Sequence, residues 1–140
     1  MDWFTQDDLV SRWMGVGATV SAEPGATYSC LLPEGQAWDG VVVEAEPPVR
    51  LVHTLGWRDP SSPLAAGMSL VTWEFAHDSA GSRIVLLHEH VPRDLLDFHN
   101  HVWSHLLARL RSVLAGRPPG PHPLQPRAAQ GTALGHSAAR

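Results

Sequence analysis

The chain has no lysine: all ten of its basic residues are arginine, and against them stand fourteen acidic residues for a formal net charge of −4. No basic run occurs, so the electrostatic footprint of a nucleic-acid binder is missing. A single cysteine, Cys30, rules out an internal disulfide framework and fits a reducing compartment. No apolar stretch approaches the roughly 20 residues that a membrane helix needs. The N-terminus, MDWFTQDD, has neither a basic start nor an apolar run, so no signal peptide is read there. These absences together lead us to expect a cytoplasmic protein with no membrane or nucleic-acid partner. Neither HExxH nor paired CxxC occurs, and no internal repeat is found.

What is present is period-two alternation followed by one long amphipathic segment. GVVVEAEPP (Gly40 to Pro48), VRLVHTLGW (Val49 to Trp57) and the stretch from Val71 to His90 alternate as half-buried strands do. Upstream, Phe4 to Met14 reads as a short helix with Thr5 as N-cap, and Ala26 to Leu32 as a strand closed by Pro33-Glu34-Gly35. The next strand spans Trp38 to Glu46 and stops at Pro47-Pro48. After Val49 to Trp57 comes a loop, Asp59 to Gly67. Met68 to Ala76 and Ser82 to Val91 then form a hairpin. A helix from about Asp94 to Ala115 ends at Gly116. At 140 residues the pattern predicts one domain, 1–116, and a Pro/Gly/Ala-rich tail, 117–140, largely disordered.

Parity assigns the faces. Leu51, His53, Leu55 and Trp57 share one face of their strand; Val71, Trp73 and Phe75 share the inward face of the next. Ile84, Leu86, His88 and His90 oppose Arg83, Val85, Leu87 and Glu89. On the helix, Leu95, His99, Val102, Trp103, Leu106, Leu110 and Val113 form an apolar stripe, with His101 and His105 on the polar flank. A sheet carrying such a helix closes a two-layer α+β domain.

These segments resemble bacterial domains similar to the C-terminal part of the activator of the Hsp90 ATPase, within the START-like, SRPBCC helix-grip superfamily. The resemblance rests on Pro47, Pro48, Arg50 and Leu51; on Val71 to Phe75; on Ser82 to Glu89; on His99 and Trp103; and on the turn Arg12-Trp13-Met14-Gly15. It spans roughly residues 3 to 122. It implies a curved antiparallel sheet wrapped around a long C-terminal helix. Family members begin with a strand and half a helix before the early turn, so the first strand is expected to be missing here. A late-assigned start codon is the favoured reading; a shortened variant and a homodimer covering the exposed sheet edge are the others. The family's glycine before the helix tryptophan is Val102.

The resemblance also implies a cavity between sheet and helix. Tyr28, Trp57, Trp73 and Trp103 would line it, with His53, His88 and His99 as polar anchors, although each alone also reads as core. The expected function is non-enzymatic binding of a small hydrophobic molecule, with no cofactor. The alternatives are a cyclase- or dehydratase-type enzyme using one of these histidines as acid–base, and a chaperone-interaction module. No carboxylate shares the inward parity, which counts against catalysis. His101 and His105 face away from His88, so a metal site is not expected. Cys30 reads as a buried small hydrophobe, and Arg58-Asp59-Pro60 as solvated loop charges.

Overall fold

Most of the alternating sequence is extended, and the long segment whose apolar residues recur every three to four positions is helical. The computed structural model describes residues 1–125. It contains α1 (Asp2–Thr5), α2 (Asp7–Val10), β1 (Gly17–Thr19), β2 (Ser29–Leu31), β3 (Ala37–Asp39), β4 (Val42–Glu46), β5 (Arg50–Trp57), β6 (Ser69–Asp78), β7 (Gly81–Glu89) and α3 (Leu96–Leu114). All strand pairs are antiparallel, in the order β1-β2-β3-β5-β6-β7, and β4 lies beside β3 on the same side of β5. This is the expected α+β architecture, a curved antiparallel sheet with one long C-terminal helix. No helix among the described residues is long and apolar enough to cross a membrane.

The inward parity holds except at His90, which lies beyond the end of β7 with a φ of 66° and is exposed. Leu51, His53, Leu55, Val71 and Trp73 are buried, and so are His99, Val102, Trp103, Leu106, Leu110 and Val113 along α3. On β7, Ile84, Leu86 and His88 are half-buried while Val85 and Leu87 are exposed. Tryptophans fill the space between the layers. Trp73 meets Trp103 edge-on at 5.4 Å and Trp13 at 6.2 Å, and Trp38 lies 5.4 Å from Trp103. Phe4 adds a contact at 4.7 Å to Trp73. Burying rings of this size supplies much of the hydrophobic stabilisation of a small domain.

Several boundaries differ from the sequence reading: β1 was not expected, the expected strand from Ala26 to Leu32 is only Ser29–Leu31, and three further differences have a visible cause. The expected helix from Phe4 to Met14 is two single turns separated by Gln6 in extended conformation. A continuous helix would set Phe4 and Val10 about 120° apart; the break lets both enter the core, where each is at most 2% exposed. Thr5 does not cap: its hydroxyl donates back to the Met1 carbonyl at 3.2 Å. The expected strand from Trp38 to Glu46 is split at Gly40, where a Cβ would lie 1.9 Å from the Thr54 carbonyl oxygen. Only glycine permits that approach, and the chain re-enters the sheet one step later as β4. The helix begins at Leu96, after a 3-10 turn over Arg93–Leu95.

Residues 117–125 return to the domain. His122 is buried, its Nε2 lies 2.8 Å from the Met14 carbonyl, and Arg109 donates to the carbonyls of Trp13 and Gly120. The remainder of the segment expected to be disordered, 126–140, lies outside the described residues.

Candidate ligand pocket

Two of the inward histidines are bound into the core by indole N–H groups. Val71 on β6 has His53 and His88 as its cross-strand neighbours on β5 and β7. Trp73, two residues along, donates its Nε1–H to His53 Nε2 at 3.0 Å. His53 Nδ1 is 2.8 Å from the Thr54 carbonyl, which assigns its proton to Nδ1. Tyr28 stacks on the same ring at 3.9 Å and donates its hydroxyl to the Phe4 carbonyl. Trp103 donates to His88 Nδ1 at 3.0 Å. The other nitrogen of His88 is 2.8 Å from Ser69 Oγ, whose own proton goes to the Leu55 carbonyl. His88 therefore donates from Nε2. Burial pulls the pKa of both rings down to about 4, helped at His88 by the neighbouring histidines. Each ring is neutral at pH 7 and each of its nitrogens is used.

His99 is different. It stands in the first turn of α3, is 3% exposed, and neither of its ring nitrogens has a hydrogen-bond partner among the described residues. Burial lowers its pKa, so this ring too is neutral. One side of it meets the edge of His88 at 5.5 Å. It also forms part of the wall of a cavity of about 650 Å³ at the end of the sheet–helix layer, within the size range of small-ligand sites.

The cavity arises from how β5 ends. At Gly56 a Cβ would lie 2.0 Å from the Ala65 carbonyl oxygen, so the loop from 58 to 66 folds directly onto the strand. Trp57 N–H donates to the Leu64 carbonyl and Arg58 N–H to the Ala37 carbonyl, which hold the loop's base. Between this loop and the start of α3 lie Trp57, Phe98, His99, Leu95 and Leu124. Trp57 is 6.4 Å from Phe98 and 6.2 Å from His99, ring to ring. At the rim, Arg58 grips Asp39 with two hydrogen bonds of 2.9 and 2.8 Å. The Arg58 hydrogen bond holds the Asp39 carboxyl below its ordinary pKa. Asp59 is turned onto Ser61. The arginine's charge is thus matched within the protein itself.

Of the residues singled out from sequence, Trp57 and His99 line this cavity. Tyr28, His53, Trp73 and Trp103 are buried within the packed layer, and His88 lies beside them. No carboxylate hydrogen-bonds any of the three histidines among the described residues. Phe98, Leu95, Leu124 and the Arg58–Asp59 loop belong to the wall and were not anticipated. The proline-flanked loop directly after Trp57 was the available signal. Burial pushes the Cys30 thiol up to about 12, as expected of an inert core cysteine. His101 and His105 lie with ring centres 4.3 Å apart, tilted at 54°, on the outer flank of α3. Among the described residues no three His, Cys, Asp or Glu are grouped to hold a metal ion.

Residues 2–115 match the family described as Activator of Hsp90 ATPase homolog 1-like protein. Comparison with curated proteins finds no match. Among solved structures, DynU16, a protein of the dynemicin biosynthetic locus, superposes with a TM-score of 0.73 at 18% identity over 90% of this chain. The chain spans only 45% of DynU16. Protein MLL2253 from Mesorhizobium loti gives a TM-score of 0.71 at 18% identity, covering 82% of this chain and 85% of that protein. PFC0360w, an HSP90 activator from Plasmodium falciparum, gives 0.65 at 22% identity, with 81% and 84% covered. At these identities the likeness is one of fold.

Proposed function

Because this chain belongs to the activator of Hsp90 ATPase homolog 1-like family, a fold that positions a helix over a curved sheet, we propose that it binds a small, largely apolar molecule in the cavity at the end of β5. One observation carries the reading: the buried His99 ring stands in the wall of that cavity with both nitrogens unpaired among the described residues, each covered in the unliganded protein, so that a ligand group reaches them as the ring or its cover shifts. An unpaired buried polar group costs on the order of 1–3 kcal/mol, a cost that a ligand group can remove. A neutral imidazole offers one donor and one acceptor, so the complementary group is one that does both: an alcohol, a phenol or a carboxamide. Trp57 and Phe98 supply flat apolar surface for the rest of the molecule. The pairing of Arg58 with Asp39 leaves no uncompensated cation for an anionic ligand. No carboxylate hydrogen-bonds His99 among the described residues, which favours binding over acid–base catalysis.

A titration with two fluorescent probes tests this. N-phenyl-1-naphthylamine is neutral and its sulfonated relative is anionic; both report entry into an apolar site. The neutral probe should bind one per chain, at least about tenfold more tightly than the anionic one. His99→Phe should weaken it about tenfold, one lost hydrogen bond being worth about 1 kcal/mol or more. The same substitution should leave the unliganded protein as stable as before, or more so. Non-saturable binding, or binding indifferent to both His99→Phe and Trp57→Ala, would sink the proposal.

A further inference from the structure

The segment after α3 is tied back onto the domain by two side chains. Residues 118–125 (PPGPHPLQ) carry four prolines, and no backbone–backbone hydrogen bond joins them to the rest of the described chain. Arg109 of α3 holds the Gly120 carbonyl and, through its Nε, the Trp13 carbonyl at 2.9 Å. His122 holds the next carbonyl, that of Met14, at 2.8 Å. Proline stiffens such a segment, and its direction changes at Gly116 and Gly120, whose φ values are 78° and 79°. Gly120 lies at Arg109, while Leu124 shares the cavity wall with Leu95 and Phe98. The segment therefore runs back along α3, from its C-terminal end toward its first turn. It lies outside residues 2–115, the part that matches the family.

The His122 ring holds this position in one protonation state. The Leu124 N–H donates to its Nδ1 at 3.0 Å, so the single proton of the neutral ring is on Nε2 and goes to the Met14 carbonyl. A second proton has to enter at Nδ1, against the Leu124 N–H, and removes the bond that sets Leu124 relative to the ring. His122 is 5% exposed, so the charged ring would also be buried. Arg109 of α3 is the charged group that acts on it; the turn before β1 gives it the Met14 carbonyl, and residues 118–125 carry no charge. Burial lowers its pKa; the Met14 carbonyl opposes the shift, and the Arg109 cation adds to it. A released ring titrates near 6.5. The segment is thus held fully above about pH 6.5, and its hold weakens as the pH falls toward the lowered value.

We propose that residues 117–125 are a strap closing the cavity, latched by neutral His122, and that protonation of His122 frees Leu124 and opens the way in for the ligand. The inference rests on the ligand-binding reading above and adds the regulation of that site. Opening gives up the hydrogen bonds of Arg109 and His122 and the burial of two side chains, and it disturbs no strand pair. The latch is a side chain and not a backbone ladder, so one proton suffices to loosen it.

Methyl NMR of the full chain from about pH 7.5 to about pH 5 reads the strap directly. Stopped-flow mixing with N-phenyl-1-naphthylamine, neutral across this range, reads the cavity. The Leu124 methyl signals, displaced by the aromatic rings of the cavity wall, should move toward their unfolded-chain positions as His122 titrates, with a midpoint below about 6.5. Probe association should quicken about tenfold over the same interval, the loss of one or two hydrogen bonds being worth that factor. His122→Ala should give the fast rate already at the upper pH. His122→Gln, whose amide donates to the Met14 carbonyl but does not titrate, should keep the slow rate at both ends. Leu124 methyls that stay in place at the lower pH, or a pH response that survives His122→Gln, would overturn the strap. So would saturable probe binding whose rate ignores both pH and His122→Ala; the ligand site then stands without a gate. Leu124 signals that move as expected in a chain that binds no probe uphold the strap and remove the ligand reading instead.

Discussion

Acid should unfold this protein through its indole-bound histidines, and His53 allows the size of the effect to be worked out. In an unfolded chain a histidine titrates near 6.5; in the core His53 is held to about 4 by burial. Between these values the unfolded chain binds a proton that the folded chain refuses, so stability is full above pH 6.5 and falls as the pH drops toward 4. Below about 4 both states are protonated and no further loss arises from this group. A gap of this width corresponds to about 3 kcal/mol, at about 1.4 kcal/mol per pH unit within the window. His88 acts in the same direction, but its ring is only half-buried, so solvent screening reduces its share to less than half of that. His99 and His122, both lowered by burial, add to the same slope. Asp39 is also lowered, but a carboxylate loses its contribution only as the pH falls below about 4, outside the window. Against a total stability of about 5–15 kcal/mol, the histidines alone remove a substantial share by pH 4.5. Urea denaturation at pH 7.5, 6.5, 5.5 and 4.5, followed by tryptophan fluorescence, measures this directly. His53→Phe should begin about 1–3 kcal/mol less stable at pH 7.5, because Trp73 Nε1 and the Thr54 carbonyl lose their partner. It should also show a slope shallower by about 1.4 kcal/mol per pH unit. A parent whose stability is flat from pH 7.5 to 5.5, or a variant with the parent's slope, would refute the reasoning.

Trp103→Ala should cost about 3–5 kcal/mol in chemical denaturation, since Trp103 is 4% exposed and its indole holds His88; a small cost coupled to lost probe affinity would instead make it a cavity wall. Gly56→Ala forces a Cβ against the Ala65 backbone, which has no flexible end to yield. It should lower stability by about 1–3 kcal/mol and, by lifting the 58–66 loop, abolish binding of the neutral probe; unchanged affinity would show that the loop does not shape the site.

The layers of this fold were legible because burial by parity is a local property. His53, Trp73, Trp103 and the α3 stripe all point where alternation and helical spacing send them. The breaks at Gln6 and Gly40 were not legible, because each depends on a partner distant in sequence. Phe4 must reach Trp73, and Gly40 must pass the Thr54 carbonyl. The cavity wall was missed for a similar reason. Phe98 lies off the apolar stripe and is 43% exposed, and Leu124 sits in a segment whose composition reads as disordered. Neither carries a sign in its own neighbourhood that it will face Trp57.

The three inward histidines show why parity finds a site's constituents without separating site from core. An imidazole on an inward face needs a donor for one nitrogen and an acceptor for the other, and only the opposing layer can provide them. At positions 53 and 88, tryptophans provide the donor while filling the volume that a ligand would need. A molecule entering there would have to displace an indole and leave a buried N–H unpaired, so the centre of the layer is closed to binding by the same contacts that hold it together. At the end of β5 these conditions lapse together. Trp57 is only half-buried, the loop after it leaves the sheet, and α3 has made one turn when it reaches His99. No indole N–H reaches that ring, and volume remains beside it. The same residue type is therefore paired where the layer is full and left unpaired beside the cavity where it runs out. The tryptophan opposite makes the difference, and it lies in another element of the chain.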